Sequence, residues 1–106
     1  MPRKPHEHYL NLKERHPGLL AAVEALGAAA QAAGPLNAKT LQLIQLAAAA
    51  AIRSHGSTHS HTIRALEAGA PPDEVRHAVL ALTSTIGYPT VAAALAWVDD
   101  VLERGN

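Results

Sequence analysis

The densest group of side chains capable of chemistry lies between Arg53 and His61, in the segment RSHGSTHSH. Three of the chain's seven histidines are in this segment. Because histidine changes charge near neutral pH, it can transfer protons or ligate a metal ion. The chain contains no cysteine, which excludes a disulfide, a thiolate nucleophile and a cysteine-ligated metal site. The histidines of this segment are therefore the first candidates for chemistry.

Helical spacing divides these polar residues between two faces. If the segment is one continuous helix, Ser54, Ser57 and His61 fall at positions i, i+3 and i+7 and share one face. His59 lies about 200° from His61 on the same helix, so the two rings face opposite ways. The spacing argues against a metal site built from the three histidines of this segment alone.

A metal site that uses only part of this segment is an alternative. His55 and His59 are one turn apart and can supply two ligands, although Gly56 stands where the zinc-protease motif has its glutamate. A third ligand would come from His6 or His8, or from another subunit. We expect no metal ion and no cofactor, since packed or solvated histidines are commoner than ligands.

Two glutamines interrupt the most apolar stretch of the chain. Gln42 and Gln45 lie in the run from Leu41 to Ile52. A buried side-chain amide costs about 1–3 kcal/mol unless it is hydrogen-bonded, so at least one of them needs a partner. The hydrogen bond to this partner either ties the helix to a neighbouring helix or subunit, or forms part of a site. On the second interpretation, Gln42, Ser57 and His61 line one pocket with His61 as general acid/base.

The elements that must position these residues are helices. Alanine, the best helix former, accounts for 23 of the 106 residues, and no segment alternates with a period of two. We predict one all-α domain, residues 1–106, of about six helices, with the third helix buried on every side. Proline, glycine and the N-cap candidate Asn37 set the boundaries. The predicted helices are His6 to Arg15, Pro17 to about Gly34, Asn37 to Ile52, Thr58 to Ala68, Pro71 to about Gly87, and Thr90 to Arg104.

Charge and length narrow the choice of partners. Nine basic and nine acidic residues give a formal net charge of zero, which disfavours nucleic acid and acidic membranes as partners. No segment is typical of a signal peptide or a membrane span, so we expect a cytoplasmic protein. A chain of this length buries a modest core, and its surplus apolar helix surface predicts a homo-oligomer.

From about residue 36 to 102 the chain resembles the carboxymuconolactone decarboxylase family, including its alkylhydroperoxidase D type peroxidases. The resemblance is carried by LNAKTLQLIQLAAAAAIRSHGSTHSHTIRALEAGAPPDEVRHAVLALTSTIGYP. Its most specific parts are a histidine before xxxALEAG, a proline-acidic helix start, and a GYP break. The resemblance implies an alkylhydroperoxidase D-like helical bundle that assembles as trimers or hexamers.

The resemblance also implies which residues form the site. Peroxidase members have a glutamate, eleven further residues and then CxxCxxxH. Carried over by position, the glutamate falls on Gln42, the cysteines on Ser54 and Ser57, and the histidine on His61. Serine cannot form the catalytic disulfide and an amide cannot shuttle a proton, so we expect no thiol peroxidase activity.

Three functional hypotheses remain. The decarboxylase branch lacks the cysteine pair, which implies a cofactor-free acid/base enzyme on a small carboxylated lactone or related metabolite, with His61 transferring the proton. The nearest cations for such a substrate are Arg53 and Arg64. Alternatively, the chain is a noncatalytic or ligand-binding member. If Ser54 and Ser57 are engineered replacements for cysteine, the natural protein is a peroxidase.

Overall fold

A computed structural model describes the backbone of residues 5–104 and the side chains of residues 7–104. Six helices of nine residues or more and one single-turn helix make up this range, which contains no strand. The predicted all-α class is therefore confirmed. No helix in residues 5–104 is both long and apolar enough to span a membrane. The helices are α1 (Pro5–Arg15), α2 (Pro17–Gln31), α3 (Ala38–Ala51), α4 (His55–Glu67), α5 (Pro72–Leu80), α6 (Thr83–Ile86) and α7 (Tyr88–Arg104).

The helices fall into two compact units, Met1–Leu36 and Asn37–Asn106. In the first unit, α1 and α2 are joined by polar contacts centred on one carboxylate. The Tyr9 hydroxyl donates a hydrogen bond to Glu24, and the Lys13 ammonium lies 3.3 Å from the same carboxylate. The second unit contains α3 to α7 and every residue of the predicted site. The assignment of residues 1–106 to a single domain stays a prediction.

Small and branched apolar side chains form the core of the second unit. Its largest fully buried members are Leu46 from α3, Val75 and Val79 from α5, and Val91 and Val98 from α7. Buried alanines fill the space between them, and an alanine contact lets helix backbones approach closely. These alanines are Ala50, Ala65, Ala70 and Ala94.

The third helix is buried on one face only, which corrects the prediction that it is buried on every side. Gln42, Leu46, Ala49 and Ala50 are buried, whereas Ile44 is 49% exposed. The physical reason is that α4, α5 and α7 pack against α3 without enclosing it. The third helix therefore has more apolar side chains than the neighbouring helices bury.

The starts of α3 and α5 and the end of α4 follow their sequence signals. The Asn37 side chain accepts a hydrogen bond from the Thr40 amide at 2.9 Å, as predicted for an N-cap. Pro72 occupies the first turn of α5, where its missing amide hydrogen costs nothing. Gly69 has φ +100° just after α4, a conformation that glycine adopts without steric cost.

Only three residues separate α3 from α4. The Ser54 amide donates to the Ala49 carbonyl and the Arg53 amide donates to the Ala50 carbonyl, which is the Schellman pattern of a helix end. Arg53 takes the left-handed position of this pattern, with φ 60°, where glycine is usual. The prediction that the fourth helix begins near Thr58 is corrected, because this tight turn lets α4 begin at His55.

Replacing Arg53 with glycine should stabilise the protein. A side chain in the left-handed region costs about 1 kcal/mol, and glycine removes this cost. We expect Arg53→Gly to raise the free energy of unfolding in urea by about 1 kcal/mol. Arg53→Ala is the control, because it removes the side chain but keeps Cβ; an equal gain in that variant would contradict the backbone explanation.

Candidate functional site

A buried column of threonines runs along one face of α4. Thr58 and Thr62 are fully buried. The Thr58 hydroxyl donates to the Ser54 carbonyl at 2.7 Å, and the Thr62 hydroxyl donates to the Thr58 carbonyl at 2.8 Å. Each hydroxyl is thus satisfied by the preceding helical turn, which removes the cost of burying it. This column went unrecognised in the sequence, although its four-residue spacing together with Ala65 is a signal for one buried face.

His61 lies on one flank of this column and contacts α3. Its Nδ1 atom is 2.8 Å from Oε1 of Gln42, a side chain that is only 8% exposed. An amide oxygen can only accept, so Nδ1 carries the proton and donates it. The neutral ring then has its lone pair on Nε2. The amide in the apolar helix has a hydrogen-bond partner, and that partner is His61.

The surroundings of His61 favour its neutral form. Burial lowers the pKa of His61 below its ordinary value, and the nearby positive charge of Arg64 lowers it further. Both effects disfavour the imidazolium. At neutral pH the ring is therefore present in the form that can accept a proton at Nε2.

The two serines of the segment differ from each other in position. Ser54 lies before the first residue of α4 rather than on its face, so the condition of one continuous helix is not met and only Ser57 and His61 share a helical face. Its hydroxyl accepts a hydrogen bond from the Ser57 amide at 3.2 Å and so caps α4. Ser57 lies one turn before His61 and is half-buried. A catalytic role for Ser54, Ser57, Gln42 and His61 stays a prediction.

The other flank of the threonine column carries His55 and His59, which face α7. The His55 ring stacks on Trp97 at a centroid distance of 4.9 Å and meets the His59 ring edge-on at 4.7 Å. His59 Nε2 lies 3.6 Å from a carboxylate oxygen of Asp100. The inference that His59 and His61 face different neighbours therefore agrees with the structure.

The charge state of His59 reflects opposing influences. Burial lowers its pKa most, and His55 lowers it as well, whereas the Asp100 carboxylate raises it; the net pKa lies below the ordinary value. His6 and His8 are the N-terminal histidines considered above as a third metal ligand. His6 is outside the residues whose side chains the structure describes, and His8 belongs to the first unit.

Comparison of the sequence with models of known protein families gives a match that covers most of the chain. The sequence model of the carboxymuconolactone decarboxylase family matches residues 17–100. The chain belongs to this family. No curated protein and no solved structure matches the chain. The family match extends further towards the N-terminus than the predicted resemblance from residue 36, so it includes α2.

Family membership confirms the predicted class of protein and places the whole candidate site inside the matched region. Residues 42 to 61 lie within it, including the two positions at which the resemblance implies cysteines. The chain has serine at both positions and an amide where the resemblance implies a glutamate. This member therefore retains the histidine with a neutral hydrogen-bond partner.

Removing the acceptor of the His61 hydrogen bond should destabilise the fold. In Gln42→Leu the Nδ1 proton loses its partner in a half-buried position, so we expect the free energy of unfolding to fall by about 1–3 kcal/mol. The ¹⁵N shifts of the His61 ring should also lose the signature of a single Nδ1–H tautomer. Denaturant unfolding and NMR measure the two effects.

Gln42→Glu is the matched variant, because it keeps an acceptor and adds a negative charge. The carboxylate should raise the pKa of His61, since an opposite charge stabilises the imidazolium. A leucine variant as stable as the parent, or a glutamate variant with an unchanged His61 titration, would show that the two side chains do not interact in solution.

Proposed function

We propose that this protein is a cofactor-free acid/base enzyme that acts on a small carboxylated metabolite, with His61 as the proton-transfer group. The observation that carries the proposal is the hydrogen bond from His61 Nδ1 to Gln42. This bond orients the ring and leaves the Nε2 lone pair for a substrate. Within the described residues Nε2 has no hydrogen-bond partner, which suits a group that must exchange protons.

A cation beside His61 supports a carboxylated substrate. Arg64 lies three residues after His61, on the same side of α4, and is exposed. Residues three apart on a helix are neighbours, and the charge of Arg64 lowers the pKa of His61. A guanidinium can hold a carboxylate through two parallel hydrogen bonds. Arg64 would therefore bind the substrate carboxylate while His61 reaches the neighbouring carbon.

The reaction that fits these groups is a decarboxylation or a related proton transfer. In a decarboxylation the bond to the carboxyl carbon breaks, the carboxyl group leaves as CO₂, and its electron pair stays on the remaining carbon. That carbon takes one proton: the neutral His61 ring first accepts a proton from solvent at Nε2 and then delivers it to the carbon, which returns the ring to its neutral form. Ser57, half-buried one turn before His61, would orient the ring or the substrate.

The second candidate is a ligand-binding protein without turnover. It is favoured by the environment of Ser54, whose hydroxyl caps α4 and so has a structural role. Gln42 is neutral and cannot exchange a proton with a substrate as a carboxylate would. On this reading the site of an ancestral peroxidase has become a binding pocket, and no chemistry follows binding.

A substrate test distinguishes these candidates. The probes are a γ-lactone carboxylate and an open-chain β-keto acid. We expect at least one to raise the melting temperature, as a ligand of the native state must, and to release CO₂. His61→Gln should lower turnover by about 100-fold or more, the contribution typical of a general acid/base. His77→Gln is the control, because His77 is an exposed histidine on α5.

Each outcome decides between the proposals. Binding without CO₂ release would overturn the enzyme and support the ligand-binding protein. Equal turnover in His61→Gln and His77→Gln would remove His61 from the mechanism.

We expect no thiol peroxidase activity, since serine has no redox chemistry comparable to that of cysteine. Peroxide consumption coupled to a dithiol, above that of a heat-inactivated sample, would contradict this expectation.

We also propose that the protein functions as a homo-oligomer, as its family resemblance implies. Support comes from α2, where Leu19, Val23 and Leu26 are 61%, 52% and 71% exposed. Their spacing of four and three residues places them on one stripe. An exposed apolar stripe of this kind is typical of a surface that another subunit covers.

Placing a charge on this stripe should weaken assembly. We expect the full chain to sediment as a trimer or hexamer at micromolar concentration, and Leu26→Glu to shift it towards smaller species, because the buried carboxylate would lack a partner. Ala28→Glu is the matched control, since Ala28 is exposed on the opposite side of α2. A monomeric parent protein, or equal effects of the two variants, would contradict this proposal.

A further inference from the structure

The flank of α4 that faces α7 brings together three side chains of the kinds that ligate transition metals. They are His55 and His59 from α4 and Asp100 from α7. One ligand atom from each of the three lies within 4.8 Å of the other two. Two imidazoles and a carboxylate form a donor set typical of zinc sites with three protein ligands.

One nitrogen of this cluster has no hydrogen-bond partner in the part of the chain that the structure describes. His59 Nε2 is buried and makes no hydrogen bond within residues 7–104. The carboxylate oxygen Asp100 Oδ2 is 3.6 Å away, beyond the range of a normal hydrogen bond. Buried polar atoms without a partner are rare, and a bound cation would give this nitrogen a partner.

The separation of these two atoms suits a shared ion. Two donors about 2.0–2.1 Å from a tetrahedral zinc ion are about 3.4 Å apart. The 3.6 Å between His59 Nε2 and Asp100 Oδ2 is close to this value. His55 is exposed, so an ion can reach the cluster from solvent.

We propose that His55, His59 and Asp100 bind one divalent transition-metal ion of the Zn²⁺ type, which links α4 to α7. The three protein ligands leave a fourth position for water. The nitrogen donors favour Zn²⁺ or Co²⁺ over Mg²⁺ and Ca²⁺, which require mainly oxygen ligands. This site is separate from His61 and does not depend on the proposed enzymatic function.

Neighbouring side chains orient two of the three ligands. Trp97 stacks on the His55 ring with an interplanar angle of 21°, which restricts the ring's rotation. Arg104 lies 3.5 Å from Asp100 Oδ1, the oxygen that does not face His59. Such contacts hold metal ligands in place. They also leave Oδ2 directed at the proposed ion.

The single tryptophan of the chain provides a direct readout of the site. Co²⁺ quenches tryptophan emission at short range, and Trp97 contacts one of the proposed ligands. Titrating Co²⁺ into chelator-treated full-length protein should quench this emission with saturation at one equivalent. Zn²⁺ should then displace Co²⁺ and restore the emission, whereas Mg²⁺ should have no effect.

Substitutions of the ligands complete the test. His59→Gln and Asp100→Asn should each weaken Zn²⁺ binding, measured by calorimetry, by at least about 10-fold. His8→Gln and His77→Gln are matched controls and should leave binding unchanged. Circular dichroism checks that each variant is folded, and His55→Gln, at an exposed position, replaces any ligand variant that is not.

Three results would overturn the proposal. They are the absence of saturable quenching by Co²⁺, unchanged Zn²⁺ affinity in both His59→Gln and Asp100→Asn, and loss of binding in His8→Gln alone. The last result would place the ion on the N-terminal segment. Because neither ligand variant alters His61 or Gln42, failure of the metal site would leave the proposed function untouched.

Discussion

The rotation of α4 about its own axis controls the positions of the three histidines of the candidate site. Burial of Thr58 and Thr62 sets this rotation, because their hydroxyls bond to the helix itself and leave the threonine face free to enter the core. Once this face is buried, its two flanks must meet different neighbours. His61 then meets α3 and His59 meets α7.

The separation of the two flanks gives the histidines different chemistry. His61 has a neutral partner, Gln42, so its proton position is set without adding charge. His59 faces a carboxylate, Asp100, which attracts a cation of any kind. One short helix thus presents an oriented base on one side and a cation-attracting group on the other. A residue substituted on one flank therefore does not directly contact the histidine on the other flank.

Several features of this arrangement could be predicted from the sequence because they depend on local rules. Asn37 as a helix cap follows from residue type and position, and the pairing of Gln42 follows from the cost of burying an amide. The helical class follows from alanine content and spacing. These inferences required no knowledge of which distant helices pack together.

Other features depend on tertiary packing or on exceptions to local rules. Asp100 is far from His59 in sequence, and nothing in its surroundings signals that α7 packs beside α4. The start of α4 at His55 was missed because arginine stands where glycine would mark the tight left-handed turn after α3. Exposure of Ile44 reflects how few helices surround α3, which composition alone does not reveal.

The three-residue junction between α3 and α4 also bears on how the chain folds. A helical hairpin with so short a turn brings Gln42 and His61 together at little cost in chain entropy, whereas pairing His59 with Asp100 requires α7. During synthesis α3 and α4 leave the ribosome before α7, because the chain emerges from its N-terminus. The His61 side of the hairpin can therefore assemble while the nascent chain is incomplete, and the His59 side is completed only when the last helix docks.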